Sequence, residues 1–404
     1  MSLAQGRHYL AIPGPSVVPD RVLNAMHQPA PNIYEGALID MVAGLIPDLK
    51  AVARTKHSAA IYIANGHGTW EAAISNTLAA GDKVLVVASS HFALGWAGLA
   101  EKLGIKVDVI DFGKQPNFDL DRIEAALRAD VNHEIKAVLT THVDTSTSYK
   151  TDIAALRGVI DAADHPALFM VDCIASLGCD RFEMDEWGVD LMITACQKGL
   201  MTPPGMGFVF FNEKAAKARK TLDRVSPYWD WSDRIEPEIF SNYFFGTAPT
   251  HHLLGLREAL NMINEEGLEQ VWDRHKRLSV AVHAAVDAWG QGDGAMRLNI
   301  ADPAERSSAV TSVRIGAPDG TRLRKWVTDN AGITLGIGLG MAASNDPAWH
   351  GFFRIGHMGH VNAQMVLGVL GSIDTGLKAL NIPHGPNAMA KATQSLSLGA
   401  FTSG

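Results

Sequence analysis

Over roughly its first 280 residues the chain repeats one pattern, a short unbroken apolar run followed by a stretch with helical character. The runs fall at 60–64, 84–88, 107–110, 137–140, 167–171 and 191–194, with helical patterns at 69–78 and 92–103 between them. A strand with one wet face alternates apolar and polar residues. A strand apolar at successive positions is covered on both faces. Such strands separated by helices predict an α/β fold with a mainly parallel sheet and helices on both sides. The run GFVFF at 207–211 reads as a late strand. Residues 251–289 contain no proline and are rich in Leu, Ala, Glu and Arg. They read as one or two helices leading out of the large unit. A smaller α/β unit follows, with strands at 309–315 and 352–355 and helices at 321–330 and 361–380. The organisation expected is an N-terminal arm (1–20), a large domain (21–280) and a small C-terminal domain (281–404). After Pro383 the residues are small and polar, and a loosely packed end is expected there.

Composition excludes several functional classes. The 404 residues carry a net charge of −8, with 47% hydrophobic and 19% charged residues. With a pI near 6.0 there is no basic footprint for nucleic acid. No apolar run approaches the ~18 residues of a membrane span. Cys173, Cys179 and Cys196 are too few and too clustered for a disulfide framework and read as reduced thiols. The N-terminus lacks a secretory pattern, and AFTSG is not a peroxisomal address. A cytoplasmic enzyme with small-molecule substrates is the class that remains.

Three segments carry chemistry. In ALFMVDCIASLG a buried strand delivers Asp172 to its carboxyl end, the edge where open α/β sheets bind ligands. Taken alone, Asp172 could equally be a helix cap or half of a loop ion pair. The strand DLMIT then runs into ACQKGLMTPPGMGFVF, placing Lys198 in a turn flanked by apolar strands. A solitary turn lysine is ordinarily solvated. One enclosed in this way has a lowered pKa and suits imine chemistry. Finally, Asn65-Gly66-His67-Gly68 joins a strand to a helix, and a glycine-rich helix N-terminus is an anion site. In this order, an anion turn, a strand-end Asp and a strand-end Lys are what a pyridoxal phosphate site needs.

With those residues in place, the chain resembles the class V, fold-type I aminotransferases of the alanine/serine–glyoxylate group. The resemblance runs from IPGPS to FRIGHMG through NGHGTWEAAISNTLAAGD, FMVDCIASLG, DEWGVDLMITACQKGL and PPGMGFVF. It implies a large domain with a seven-stranded, mainly parallel sheet, a smaller α/β domain, and pyridoxal 5'-phosphate as cofactor. Lys198 would carry the cofactor aldehyde and act as general base, and Asp172 would pair with the ring nitrogen. Asn65, Gly66 and His67 would form the phosphate turn. Gln197 would lie beside the phosphate or ring substituents, and Thr145 near the phenolic oxygen. Phe92 falls where the family stacks an aromatic on the ring, although a core role on its helix explains it equally well. Thr247 would reach the phosphate in a partner subunit, as would Tyr243 unless Phe244 takes that place. The resemblance thus implies a homodimer or tetramer. Arg354 would bind the substrate α-carboxylate through its planar fork.

The implied reaction moves an amino group from a small amino acid such as serine or alanine to a 2-oxo acid, glyoxylate first. Two departures bear on the substrate and the site. Where the family has a basic residue in the N-terminal arm, this chain has Tyr34-Glu35, which keeps open an unusual amine of the pyridoxamine–pyruvate or ureidoglycine–glyoxylate type. A family Thr-Gly is replaced by Thr147-Ser148. A lyase or desulfurase on the same scaffold is disfavoured, since no cysteine lies in a convincing catalytic loop. A non-catalytic binding protein is disfavoured by the presence of both Asp172 and Lys198. Gly336-x-Gly338-x-Gly340 resembles a dinucleotide fingerprint but lacks its βαβ context. His251, His252, His357 and His360 lack a metal-site motif.

Overall fold

The structure is a computed structural model and describes residues 3–398. Its large sheet has seven strands in the order Ser58–Tyr62, Gly207–Phe211, Leu191–Ala195, Leu168–Asp172, Ile135–Thr141, Lys83–Ala88 and Lys106–Asp111. Gly207–Phe211 runs antiparallel to both neighbours, and every other pairing between neighbours is parallel. The strands Leu168–Asp172, Leu191–Ala195 and Gly207–Phe211 are buried at every residue, which is why their sequences do not alternate. Their side chains nevertheless divide by parity. Phe169, Val171, Met192, Phe208 and Phe210 enter one core, whereas Leu168, Met170, Leu191, Ile193 and Val209 enter the other. The outer strand Lys106–Asp111 turns Lys106, Asp108 and Asp111 to solvent, charges that discourage pairing along a free edge.

A second sheet has the order Tyr9–Ala11, Ile333–Ile337, Phe352–Gly356, Val310–Arg314, Arg297–Leu298. The N-terminal segment thus lends it an outer strand, parallel to Ile333–Ile337. The stretch read as one or two helices is two, Thr250–Glu266 and Leu268–Trp289, separated at Gly267 with φ +86°. The second helix connects the cores. Val271 belongs to the large one, while Leu278, Val282 and Trp289 belong to the small one.

The expectation of a loose C-terminal end is corrected. Ala388–Leu398 is a helix packed on Leu268–Trp289, with Ala388 and Ala392 buried and Leu396 packed against the same core. These three recur at i, i+4 and i+8, a narrow apolar stripe that a composition of small residues conceals. The chain turns into it at Gly385, whose N–H donates to Trp289 O at 2.8 Å.

The two sheets meet along a polar seam. Asp180, 2% exposed, accepts from Ser307 Oγ at 2.8 Å and from Ser308 N at 2.7 Å. Removing its carboxylate leaves two buried donors without their acceptor. Asp180→Ala should therefore lower unfolding free energy by about 2–4 kcal/mol in urea titration. A loss below about 1 kcal/mol would show that the seam does not depend on this residue.

Candidate active site

At the carboxyl edge of the large sheet a cavity of about 270 Å³ gathers eight of the residues singled out in the sequence. Asn65, Gly66, His67, Phe92, Thr145, Asp172, Gln197 and Lys198 all line it. The strand Leu168–Asp172 ends on Asp172, and the turn after Leu191–Ala195 holds Gln197 and Lys198. The helix Gly66–Thr77 begins at the rim. Asn65 caps it by accepting from the His67 and Gly68 N–H groups at 3.1 and 3.2 Å.

Asp172 is buried, and burial pushes its carboxyl up to about 7. Two donors pull the other way, Ile174 N at 2.7 Å and Trp70 Nε1 at 2.8 Å. Trp70 is itself buried and stacked on Trp96, with centroids 6.2 Å apart, so its N–H is held in place. Lys198 is lowered to about 8, first by burial and then by the Arg354 charge. Its Nζ donates to Pro13 O. The preceding IPGPS segment clamps the lysine turn, with Ser16 Oγ on Lys198 O at 2.7 Å and Ser16 N on Gln197 O at 2.8 Å. Gly14 has φ +92°, and a Cβ there would collide with the Lys198 side chain. Only glycine satisfies both requirements. The Gln197 Oε1 is buried with no hydrogen-bond partner among the described residues.

One buried carboxylate orders the opposite wall. Asp144 accepts from Phe92 N at 2.8 Å and from Ser146 N at 2.8 Å. Burial pushes its carboxyl up, and those hydrogen bonds partly offset this. Phe92 is half-buried, lines the cavity and meets Trp70 edge-on, so it is not purely a core residue. Arg354, in the strand Phe352–Gly356, is 5% exposed. Its Nε donates to Ile337 O at 2.7 Å and its Nη1 to Thr145 O at 3.0 Å. Burial lowers its pKa to about 10, still charged at neutral pH, and Asp144 opposes the shift. Arg354 is thus held by backbone carbonyls, and Nη2 lies outside both contacts.

Five residues named from the sequence lie elsewhere. Tyr243 lines a separate cavity of about 770 Å³ with Lys50, Lys56 and His57, while Phe244 is buried in the core and presents nothing outward. Thr247 and Tyr34 share a third cavity of about 420 Å³. Tyr34 is 85% exposed, and Glu35 beside it is exposed and, among the described residues, accepts only from Asn32 Nδ2, at 3.5 Å. Neither cavity shares a lining residue with that of Lys198. The three spaced glycines serve close packing. A Cβ on Gly336 would meet Pro13 and the Arg354 Cβ at 2.7 and 3.1 Å, and one on Gly340 would meet His91 and Ser146 at 2.7 and 2.9 Å. His251, His252 and His357 bond to backbone carbonyls of Gln28, Pro204 and Ser308. Among the described residues no group of three or more His, Cys, Asp or Glu side chains could hold a metal ion.

Trp70, Gly14 and Asp144 were not singled out from the sequence. A signal existed for Trp70, which stands one helical turn beyond Gly66 on the helix that opens at the cavity. None existed for Asp144, whose role depends on a helix 52 residues earlier.

Residues 48–365 match the family described as Aminotransferase class-V. The chain is 38% identical to the serine–glyoxylate aminotransferase of Methylorubrum extorquens, over 92% of this chain and 93% of that protein. It is 35% identical to the L-aspartate–glyoxylate aminotransferase of Paracoccus denitrificans, over 92% and 91%. Among solved structures, the ureidoglycine–glyoxylate aminotransferase of Bacillus subtilis superposes with a TM-score of 0.87 at 27% identity, covering 98% of this chain and all of that one. The pyridoxamine–pyruvate aminotransferase of Mesorhizobium loti shares the fold, with a TM-score of 0.86 at 21% identity over 99% and 100%. The two-sheet architecture is that of the fold-type I aminotransferases, and the chain belongs to the class V aminotransferase family.

Proposed function

We propose that this aminotransferase uses pyridoxal 5'-phosphate to move an amino group from a small amino acid, such as serine or alanine, to a 2-oxo acid, with glyoxylate the first choice. The carrying observation is one cavity that holds a buried lysine, a buried carboxylate and a helix N-terminus at its rim, with the orphaned Gln197 Oε1 at hand. Those groups fit the cofactor. Lys198 suits its aldehyde, Asp172 its ring nitrogen, the Asn65-Gly66-His67 turn its phosphate, Thr145 its phenolic side and Phe92 its ring face. When bound, the cofactor supplies an aldehyde for the amino group and a ring that accepts electrons from the substrate α-carbon. Asp172 would find in a protonated ring nitrogen the counter-charge its burial lacks and would hold that proton. Lys198, as a free amine, would withdraw the substrate α-proton and return it. Arg354 takes the α-carboxylate. The glyoxylate-using relatives at 35–38% identity support the acceptor.

An unusual amine as donor is the second reading. Glu35 favours it, since an acidic arm suits a cationic or amide-bearing donor. A desulfurase lacks its nucleophile here. All three cysteines are buried, and burial pushes each thiol upward. Thr247, Tyr243 and the Tyr34-Glu35 arm belong to the site of a second copy in this proposal. The exposed apolar side chains of Tyr34, Ile239 and Phe245 near Thr247 support such an interface. Among the described residues no helix is long and apolar enough to cross a membrane. We assign the enzyme to the cytoplasm on its unpaired thiols.

Assayed with a matrix of amino donors against glyoxylate and pyruvate, the enzyme should turn over only when both partners are present, fastest with glyoxylate. Product formation from the donor alone would replace transamination with a lyase reaction. In sedimentation at assay concentration the active species should be a dimer or larger, and a fully active monomer would refute the shared site. The lysine supplies a pH test. Below about 8 Lys198 is an ammonium with no lone pair, and above it a free amine. Capture of pyridoxal phosphate by the cofactor-free protein, trapped with borohydride and mapped to Lys198, should therefore accelerate with rising pH and level off above about 8. A midpoint near 10.5, the ordinary lysine value, would show that the cavity does not tune the amine.

A further inference from the structure

Ser148 stands at a backbone position that favours glycine. Its φ is +63°, in the left-handed region, and the residue is 4% exposed. Its N–H donates to Asp144 O at 2.8 Å, closing a turn that contains Thr145, Ser146 and Thr147. Glycine would complete that turn without a Cβ to accommodate. What serine adds is a hydroxyl, and the hydroxyl is engaged. Ser148 Oγ donates to Thr147 O at 2.5 Å and accepts from Ser312 N at 3.1 Å. Ser312 is fully buried in the small-domain strand Val310–Arg314, and its Cα partner on the neighbouring strand is Arg354.

These contacts close a ring. Arg354 donates to Thr145 O, in the same turn that ends at Ser148. From Ser148 the ring passes through Oγ to Ser312 N, and from Ser312 across one pair of strand residues back to Arg354. Two further contacts brace it. Asn299 Nδ2 donates to Thr147 O at 3.1 Å, and Ser307 N donates to Ser148 O at 3.1 Å. The turn whose Thr145 lines the lysine cavity is therefore joined to the small domain through Thr145, Thr147 and Ser148.

We infer that Ser148 is a positioning residue whose hydroxyl sets where Arg354 stands relative to Lys198 and the Thr145 wall of its cavity, and so tunes affinity for the α-carboxylate common to amino donor and oxo-acid acceptor. The inference rests on Arg354 as the carboxylate-binding group, and its physical basis is short. A buried N–H that loses its acceptor must find another or shift. Ser312 is fully buried, so its N–H has no water to turn to. Its strand then moves relative to the turn, and Arg354 moves with its partner.

The test uses two reagents on the cofactor-loaded enzyme. Aminooxyacetate and methoxyamine both attack the aldehyde, and only the first carries a carboxylate. The ratio of their rates, followed in the visible spectrum, isolates the carboxylate contact from everything else in the cavity. Arg354→Lys should reduce the ratio at least tenfold. If it slows both reagents equally, Arg354 does not bind the carboxylate, and the function of Ser148 falls with it. Given a selective Arg354→Lys, Ser148→Gly should reduce the ratio about three- to tenfold, raise KM for donor and acceptor together, and leave kcat within about twofold. Glycine suits the left-handed backbone, so this variant should melt close to the wild type. Ser148→Ala, which keeps the Cβ and lacks the hydroxyl, should reduce the ratio in the same way. A wild-type ratio in Ser148→Gly would overturn the inference. So would a wild-type ratio in Ser148→Ala, since the hydroxyl would then have no part.

Discussion

Asp172 and Lys198 are delivered by neighbouring strands that are buried along their whole length, so an acid and a base meet where little water can stabilise either charge. Burial moves the carboxyl up and the amine down, toward each other. Much of the surrounding structure holds those two groups in that condition. The Trp70 indole and the Ile174 amide keep Asp172 from losing its charge altogether. The Pro13 carbonyl holds Nζ, and the small domain brings Arg354 near enough to lower the amine further. A site of this kind is poised because its groups are kept short of their preferred solvation, and a ligand of matching charge relieves that.

The large sheet was legible because its strands are covered on both faces. Burial of every residue forces an apolar run, and the runs read at 84–88, 191–194 and 207–211 coincide with observed strands to within a residue at either end. Lys198, Asp172 and the Asn65 turn were legible for a related reason. Chemistry at the carboxyl edge of a parallel sheet is announced by the strand before it. Contacts made across long sequence distances were not legible. The strand Tyr9–Ala11 has only three residues and exists only because Ile333–Ile337 pairs with it. Gly14 is required by a lysine 184 positions away, a collision no local pattern records. The C-terminal helix was hidden because alanine marks a buried stripe as well as leucine does when helices approach closely.

The outlying group, Thr247 with Tyr34 and Glu35, illustrates a different limit. Each residue is exposed or half-buried on its own chain, and nothing in one copy brings it toward Lys198. The resemblance to relatives supplied roles for these positions; neither periodicity nor burial in a single copy could. In a single copy these positions show only exposure without a local reason, and Ile239 and Phe245 share it.

The pairing of Tyr9 with Ile333 has a consequence for how the enzyme is made. The strand leaves the ribosome some 320 residues before its partner. At ~5–20 residues per second, that is roughly 16–65 s of translation during which the large sheet can form and the N-terminal strand has no place to lie. Pro13 and Gly14, which hold the lysine, follow directly on that strand. A nascent chain can therefore display a finished large sheet with its lysine loosely held. The strand beside the clamp finds its partner only when Ile333–Ile337 arrives, so a product terminated before that strand lacks this support for a reactive amine.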